Sequence, residues 1–358
     1  MNTRVRIGLF VSLTAATVAL GPGPQAYAAD TKAKLSILPS VESVVPGQPF
    51  DVAIRFQLDS GWHIYWQNSG DGGLAPSVRW TMPDGFSAGD LQYPTPRRLV
   101  SPGDIITNIL SGEPILTVKV TPPATIKESS VKLTAAVAYL VCEKSCVRED
   151  ATLSLDLPVQ ASGDAKPKNT DVFDRARRAM PKATSKYVAI TPSVTPDPLS
   201  PGAKFDLIVT VDVTRGHHIQ SHEPLAPSLI PSDVFVERQD GVRFSRPVFP
   251  APRLRPDKYL GKLSEYDGRV TVRVPGEVDG SRSAGPIRIA GIFTYQACDE
   301  EGHCFPRNVA ISICTDTAAK LSQPPYAGWF TILEPDGSAK ELPLATCAAG
   351  GNGSSGCC

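Results

Sequence analysis

Two pairs of closely spaced cysteines are the residues of this chain whose types and spacing could do chemistry. Cys142 and Cys146 have three residues between them, and Cys298 and Cys304 have five. Disulfide-bonded cysteines usually have Cα atoms about 4.4–6.8 Å apart. Each pair lies where an apolar run ends, so a chain that folds back as a hairpin would bring the two sulfurs within bonding reach. Bonding within each pair is therefore the geometrically natural arrangement.

Such disulfides could be structural staples or redox-active pairs. A loop this short gains little chain entropy from its bond, because that gain grows with loop length. Thiol exchange needs a thiolate that a partner can reach and a second thiol that resolves the mixed disulfide. Spacing alone favours the structural interpretation, and the neighbouring residues shift the balance towards exchange.

The charged residues differ between the two loops. Lys144 lies between the first two cysteines and Arg148 follows them, and positive charge favours a thiolate. The second loop contains acids at positions 299–301 and also His303. Acids raise the pKa of a neighbouring thiol, whereas a protonated histidine lowers it, so the two effects oppose each other in the second loop.

The other cysteines and the histidines suggest metal binding as an alternative. The remaining cysteines follow no zinc-site spacing; they are Cys314, Cys347, Cys357 and Cys358. Cys314 either pairs with Cys347 or stays free, and the terminal dithiol suits metal capture or intermolecular linkage. His217, His218 and His222 could add ligands for a soft metal, although histidines at a strand end are more often structural.

The segments around the cysteines show the alternation that is typical of half-buried strands. Phe50 to Leu58 alternate apolar with polar side chains, and this period of two predicts a β-strand. Further strands are predicted at residues 116–120, 132–141, 270–274 and 287–293. Short strands separated by Pro and Gly turns favour an antiparallel β-sandwich, with a small closed barrel as the alternative.

The sequence contains two copies of one domain. PGQPFDVAIRFQLDSGWHI begins at Pro46 and PGAKFDLIVTVDVTRGHHI begins at Pro201, an offset of 155 residues. The offset is 156 between Cys142 and Cys298, and the second loop is longer than the first by two residues. A register held over about a hundred residues indicates a tandem repeat.

The domain boundaries follow from the repeat. We predict a signal peptide at residues 1–28, a first sandwich at 29–160, a linker at 161–192, a second sandwich at 193–316, and a C-terminal hairpin with a flexible tail at 317–358. The linker has Val172, Phe173, Ala176 and Ala179 at helical spacing before Pro181, which predicts a short helix from Asp171 to Met180.

The N-terminus predicts export from the cytoplasm. Arg4 and Arg6 precede an apolar stretch at residues 7–20 that is short for a membrane span, and the small-x-small motif at 26–28 predicts cleavage before Ala29. An uncleaved anchor is the alternative. We expect a mature protein that does not span the membrane and works where disulfides persist. The formal net charge is zero, which argues against a nucleic-acid-binding surface.

The cysteine loops resemble a known family. TYQACDEEGHCFP, at residues 294–306, resembles the active-site hairpin of the N-terminal periplasmic domain of DsbD-type thiol:disulfide interchange proteins, which runs Tyr-Gln-small-Cys, five residues, Cys-aromatic-Pro. DKYLGKLSEY, at residues 257–266, is similar to the cap segment of that family. SGWHIYWQNSGDGGLAPSVRW and AYLVCEKSCV resemble the ScsB branch, which carries two such domains in tandem. The resemblance covers about residues 35–315.

This resemblance implies two immunoglobulin-like sandwiches and a cysteine pair that passes electrons from a membrane-embedded donor to thioredoxin-fold proteins in the periplasm. Proteins of this kind serve cytochrome c-type biogenesis and copper tolerance. Their electron supply would here come from a separate protein, since no C-x-x-C occurs in the chain. The resemblance implies no cofactor.

The resemblance also assigns roles to individual residues. Cys298 and Cys304 would be the redox pair, and Cys142 and Cys146 would be its equivalent in the first copy. The residues expected to cap or tune the pair are Tyr259, Asp257, Tyr295 and His303, with Tyr259 shielding the sulfurs when no partner is docked. Two other classes remain open, a soft-metal (copper) binding or tolerance protein and a non-catalytic, disulfide-stapled interaction module.

Overall fold

The computed structural model describes residues 31–283 and 285–315, and the backbone of two short strands at 329–333 and 339–343. The predicted signal segment and Cys347, Cys357 and Cys358 lie outside these residues. Within the described part of the chain, no helix combines the length and the apolar character that crossing a membrane requires.

The first copy is an antiparallel sandwich of two sheets. Its strands are β1 (Ala33–Pro39), β2 (Phe50–Leu58), β3 (His63–Gly70), β4 (Ser77–Thr81), β5 (Ser87–Ala88), β6 (Arg97–Ser101), β7 (Ile105–Ser111), β8 (Ile115–Thr121), β9 (Ser130–Cys142) and β10 (Cys146–Pro158). One sheet has the order β1-β2-β8-β5. The other has the order β10-β9-β3-β7-β6, and β4 also pairs with β9.

The linker helix packs on the first sandwich. This helix, α1, spans Thr170–Ala179, and its buried side chains Val172, Phe173 and Ala176 contact Ala53 and Ile115. The contact explains why Ala53 is buried on the face of β2 that alternation alone predicts to be exposed. The helical prediction is confirmed, and the structure adds which domain receives the apolar face.

The second copy repeats the first strand for strand. Its strands are β11 (Val188–Thr195), β12 (Lys204–Val213), β13 (His217–Gln220), β14 (Asp233–Val236), β15 (Val242–Phe244), β16 (Arg253–Asp257), β17 (Gly261–Tyr266), β18 (Arg269–Val278), β19 (Ile287–Asp299) and β20 (Cys304–Thr315). The sheets run β11-β12-β18-β15 and β14-β19-β13-β17-β16, with β20 paired to β19.

Two tandem immunoglobulin-like sandwiches joined by one helix are therefore the fold, as predicted. Each sandwich has two separate sheets with open edges, so the barrel alternative is wrong. Further along the chain, β21 (Trp329–Leu333) and β22 (Ala339–Pro343) pair antiparallel, where the Pro-Asp-Gly turn predicts a hairpin.

The two sandwiches share a hydrophobic cluster. Trp66 of the first copy meets Phe235 of the second with ring centroids 6.1 Å apart, and Ile292 joins the same cluster as Phe56. Burying large apolar and aromatic side chains from both sides is the main favourable contribution at such a contact. The copies therefore pack together through part of their cores as well as through the linker.

A buried ion pair lies in this interface. Arg98 of the first sandwich pairs with Asp233 of the second, and their side chains are 22% and 4% exposed. Burial raises the pKa of Asp233 to about 6, although the positive charge of Arg98 opposes that rise. At the rim of the interface, Arg246 lies 2.6 Å from Asp71 and both side chains are largely exposed.

Removing the partner of the buried carboxylate should destabilise the protein in a pH-dependent manner. Arg98→Met should lower the free energy of unfolding by about 3–5 kcal/mol near pH 8, because an ionised Asp233 is left buried without a counter-charge. A raised carboxyl pKa means that the folded state favours the protonated form, so stability falls as pH rises through that pKa. Without Arg98, stability should continue to fall at higher pH. The loss of unfolding free energy caused by Arg98→Met, measured by urea unfolding, should therefore be much smaller at pH 5 than near pH 8.

Arg246→Met is the matched control for this prediction. It removes an interface ion pair of the same type that is exposed to solvent, so its cost should stay within about 1 kcal/mol at both pH values. Equal costs for the two variants, or a cost of Arg98→Met that does not depend on pH, would contradict the assignment.

Candidate functional site

Both short-spaced cysteine pairs form disulfides, as predicted. Cys142 and Cys146 have Cα atoms 4.2 Å apart, and Cys298 and Cys304 have Cα atoms 4.1 Å apart. In each copy the two cysteines are directly opposite each other at the end of the hairpin that joins β9 to β10 or β19 to β20. The turn brings the sulfurs together, and the strands below it hold them there.

One sulfur of each pair is buried and the other is exposed. Cys142 and Cys298 are 3% and 2% exposed, whereas Cys146 and Cys304 are exposed. The buried cysteines belong to β9 and β19, which have neighbours on both sides, and the exposed ones begin the outer strands β10 and β20. A partner thiolate can therefore approach Cys146 or Cys304.

The disulfides lie on the sheet face that points away from the core. On β19, Phe293, Tyr295 and Ala297 belong to the hydrophobic core of the second sandwich. Successive side chains of a strand point to opposite faces, so Cys298 lies on the other face. Tyr295 is accordingly fully buried and donates its hydroxyl to Ser185; the expected role of Tyr295 in tuning the pair involves no direct contact with a sulfur in this structure.

Polar side chains surround the buried sulfur of the second pair. Gln220 Nε2 donates to Cys298 Sγ at 3.5 Å, and His218 lies directly opposite Cys298 on β13. His218 Nε2 is 2.9 Å from Glu265 Oε1, and Arg255 donates two hydrogen bonds to the same carboxylate at 2.9 Å each. Glu265 is therefore a buried carboxylate held between two basic side chains.

The electrostatics of Glu265 favour its ionised form. Burial by itself raises the pKa of this carboxyl, but the hydrogen bonds and charges of His218 and Arg255 outweigh burial and lower the pKa to about 2. The carboxylate therefore stays charged across the ordinary pH range, and it fixes the position of His218 beside Cys298.

The turn between Cys298 and Cys304 is closed by an acid–histidine contact. Asp299 accepts the backbone N–H of His303 at 2.8 Å and lies 3.1 Å from its ring Nδ1. Burial would raise the pKa of Asp299, but these hydrogen bonds keep it below its usual range. His303 therefore contacts the turn acids. Asp299, Glu301 and His303 also bring three metal-type donor atoms within 4.8 Å of one another, on an exposed surface.

Aromatic and basic side chains flank the exposed Cys304. The neighbouring Phe305 stacks on Tyr187 with ring centroids 5.2 Å apart, and the guanidinium of Arg307 lies 5.4 Å from the Tyr187 ring. The His217 ring meets the same tyrosine edge-on with ring centroids 5.2 Å apart. The hairpin end that carries Cys304 therefore has aromatic rings and a positive charge beside it.

The expected cap segment is open in this structure. Tyr259 is 85% exposed, and its ring contacts the Lys258 ammonium at 5.4 Å. Asp257 accepts the backbone N–H groups of Tyr259 and Leu260, and these bonds lower the pKa of Asp257. Asp257 thus shapes the turn that carries Tyr259, and since Cys304 is exposed too, the shielding role of Tyr259 stays a prediction.

The first pair has a different neighbour. The Tyr65 hydroxyl donates to Cys142 Sγ at 3.1 Å and lies 3.4 Å from Cys146 Sγ. Burial raises the pKa of Tyr65, so the phenol keeps its proton. His63 lies opposite Cys142, and burial, aided by the charge of Arg97, lowers the pKa of His63 and favours the neutral imidazole.

A glycine-rich loop covers Tyr65. Gly73 has a φ of +87°, and a Cβ built on it would lie 2.2 Å from the Tyr65 ring. Only glycine allows the backbone to approach the ring this closely at that φ. The loop thus lies directly against the ring whose hydroxyl contacts both sulfurs.

The sequence did not reveal several of these contacts. The contacts of Tyr65 and Gln220 with the sulfurs, and of Arg255 with Glu265, are not among those that the sequence predicts. The repeat contains the information that predicts these contacts. Tyr65 and Gln220 each lie two residues after the histidine that faces a buried cysteine, and so on the same face of the sheet as that histidine.

The three histidines suggested as metal ligands do not converge on one point. His217 contacts Tyr187, His218 contacts Glu265 and His222 contacts Tyr266. Cys314 is half-buried on β20.

Tandem immunoglobulin-like sandwiches that each present a disulfide at a hairpin end define the class of this protein. The family described as thiol:disulfide interchange protein DsbD, N-terminal, matches residues 36–158 and 188–314, one segment in each sandwich. The chain therefore belongs to the DsbD N-terminal domain family. A domain family of unknown function, DUF8838, also matches residues 293–353.

Solved structures of the same kind are similar to this chain. The N-terminal periplasmic domain of ScsB from Proteus mirabilis is 15% identical, with 79% of this chain and 93% of that chain covered and a TM-score of 0.44. The DsbD N-terminal domain of Neisseria meningitidis in its reduced form is 18% identical, with 36% and 86% covered and a TM-score of 0.24. Among curated proteins, none matches the chain.

The Gly73 contact predicts a selective effect of adding one methyl group. Gly73→Ala should destabilise the protein by about 1–3 kcal/mol in urea unfolding, because the new Cβ overlaps the Tyr65 ring and a side chain is strained at a φ of +87°. Gly72→Ala, one residue earlier in the loop, meets no atom within 4 Å and should change stability by less than about 0.5 kcal/mol. Similar costs for the two variants would show that the loop does not press on Tyr65.

The charge on Glu265 should stabilise the fold above its titration range. Glu265→Gln should cost about 1–3 kcal/mol near pH 7, because His218 and Arg255 lose a charged acceptor. The pKa is lowered in the folded state, so the stabilisation is present above the unfolded pKa near 4 and is lost as pH falls towards 2. The difference between wild type and variant should therefore shrink at pH 3.

The exposed Glu301→Gln serves as the control, with an expected change below about 0.5 kcal/mol. A cost of Glu265→Gln that is as large at pH 3 as at pH 7 would contradict the stabilising role of the charge.

Proposed function

We propose that this chain exchanges disulfides with thioredoxin-fold proteins outside the cytoplasm and is reduced by a membrane-embedded dithiol donor. The observation that carries the proposal is the bond between an exposed sulfur, Cys304, and a buried one, Cys298, on the face of β19 opposite the core. A partner thiolate can reach one sulfur, and the leaving sulfur stays inside the protein. The family description, thiol:disulfide interchange, supports the same chemistry.

Reduction of the pair follows the ordinary course of thiol–disulfide exchange. A donor thiolate attacks Cys304 Sγ, the Cys298–Cys304 bond breaks, and its electron pair leaves with the Cys298 sulfur, which can take a proton from solvent. The second donor thiolate then attacks the donor sulfur of the mixed disulfide and releases Cys304 as a thiolate. The donor becomes a disulfide, and two electrons now reside in the Cys298 and Cys304 thiols.

Delivery reverses these steps with an oxidised acceptor. The Cys304 thiolate attacks one sulfur of the acceptor disulfide and displaces the other as a thiolate. Cys298 then attacks Cys304, the original disulfide re-forms, and the acceptor leaves as a dithiol. Tyr259 would cover Cys304 between encounters, and the open cap of this structure would correspond to a docking-competent arrangement.

The first pair has the same arrangement, so we propose Cys146 and Cys142 as a second exchange site. A location outside the cytoplasm is supported by the charged and apolar pattern of residues 4–28, and by the presence of two disulfides, which persist in oxidising compartments.

Single-cysteine variants test the proposal. With an oxidised thioredoxin-fold protein as the probe, reduced Cys298→Ser should accumulate a mixed disulfide at Cys304, because the attacking thiol is exposed and no resolving thiol remains. Cys304→Ser should give roughly tenfold less adduct, because its remaining thiol is buried. Non-reducing electrophoresis detects the adducts, and peptide mass spectrometry quantifies the one at the Cys298–Cys304 pair separately from any adduct at the other cysteines of the chain.

Two outcomes would count against exchange. More adduct with Cys304→Ser than with Cys298→Ser would reverse the assigned roles. No adduct with either variant would favour the structural staple, and the double variant should then lose about 2 kcal/mol of stability from the lost loop closure alone.

A further inference from the structure

The buried sulfur of each pair has one hydrogen-bonding neighbour at the same place in the repeat. Tyr65 and Gln220 are 155 residues apart, which is the offset of the surrounding segments. Each is two residues beyond the histidine opposite the buried cysteine. The tyrosine hydroxyl contacts Cys142, and the glutamine amide contacts Cys298. The repeat has kept a polar contact at this position while changing its chemistry.

Only one end of the Gln220 side-chain amide has a hydrogen-bond partner in the disulfide form. Gln220 is 1% exposed, and its Nε2 donates to a disulfide sulfur, which is a weak acceptor. Its Oε1 is buried, and no donor in the described part of the chain reaches it. A buried acceptor without a donor carries a free-energy penalty, because it has lost its hydrogen bonds to water and no protein donor replaces them. The side chain therefore makes a poor set of hydrogen bonds while the disulfide is closed.

Opening the disulfide improves the hydrogen bond of Gln220 Nε2 when Cys298 is released as a thiolate. If the sulfur stays a thiolate, Nε2 donates to an anion, which makes a stronger bond than a neutral sulfur does. The thiolate therefore pairs the amide better than the disulfide does.

Other groups near the sulfur do not take over this role. His218 is on the same strand as Gln220 and faces Cys298, but its Nε2 contacts Glu265. Arg255 donates to the carboxylate of Glu265. On β19 itself, Gln296 Oε1 accepts the backbone N–H of Ile230. Among these described residues, Gln220 thus has both a hydrogen bond to Cys298 Sγ and a buried acceptor oxygen that no donor reaches.

We propose that Gln220 is a positioning residue that stabilises the reduced form of the Cys298–Cys304 pair and so makes this disulfide easier to reduce. Tyr65 holds the equivalent place in the first copy, where its hydroxyl contacts both sulfurs. The inference deepens the proposed exchange function and relies on it for its biological meaning, but the equilibrium it concerns can be measured without any partner protein.

A glutathione titration of the full chain tests the proposal. After equilibration and alkylation, peptide mass spectrometry reads the two pairs separately in one sample. Gln220→Met removes both hydrogen-bonding ends and keeps the length of the side chain. It should shift the exchange equilibrium of Cys298–Cys304 about tenfold towards the disulfide, equivalent to about 30 mV, and leave Cys142–Cys146 unchanged. The proposal would be overturned if the exchange equilibrium of Cys298–Cys304 did not change, or if the equilibria of both pairs shifted equally.

A second measurement needs no substitution. In wild-type protein with ¹⁵N-labelled glutamine, the side-chain amide resonances of Gln220 should move on reduction of the Cys298–Cys304 pair, since their hydrogen-bond partners change. Resonances that stay in place would refute the mechanism even if Gln220→Met failed to fold. Failure of mixed-disulfide trapping together with a shifted equilibrium would instead reject the exchange function and leave the role of Gln220 intact.

Discussion

The cross-strand pairing of two cysteines at the end of a hairpin is the constraint on which the rest of the structure depends. Residues directly opposite each other in an antiparallel pair present their side chains on one face, so Cys298 and Cys304 meet without any special backbone geometry. One partner belongs to an inner strand and the other to an outer strand. This difference alone makes one sulfur buried and the other accessible, and it recurs in the first copy.

The duplicated fold keeps this geometry while the chemistry around it changes. The first pair has the Tyr65 hydroxyl against its sulfurs, and a glycine loop lies against the tyrosine ring. The second pair has Gln220 and His218 on β13, and beyond them Glu265 on β17 and Arg255 on β16. Because backbone pairing fixes the sulfurs, side chains at the neighbouring positions could diverge without loss of the disulfide. Two disulfides of one origin can thus differ in their surroundings and in their ease of reduction.

Local patterns in the sequence predicted most of the fold. Alternation located β2 within its observed bounds, the repeat implied one topology for both copies, and helical spacing located α1 to within a residue. Pairing within each cysteine loop was also predictable, because it depends on the chain between the two residues. The contacts of Trp66 with Phe235 and of Arg98 with Asp233 were not, since they join residues far apart in the sequence. For the same reason the sequence suggested Tyr295 and His303 beside Cys298, whereas the contacts come from Gln220, on a different strand.

A disulfide that must open repeatedly should contribute little to the stability of the fold that carries it. In the chain-entropy account, closing a loop of about six residues stabilises a protein by about 2 kcal/mol, less than the closure of a long loop. The core of the second sandwich consists of side chains on the opposite face of β19, with Phe293, Tyr295 and Ala297 among them. Reduction therefore removes one short covalent link and leaves the packed layer in place. The same separation lets a polar side chain such as Gln220 respond to the state of the sulfur, since its movement displaces no part of the core.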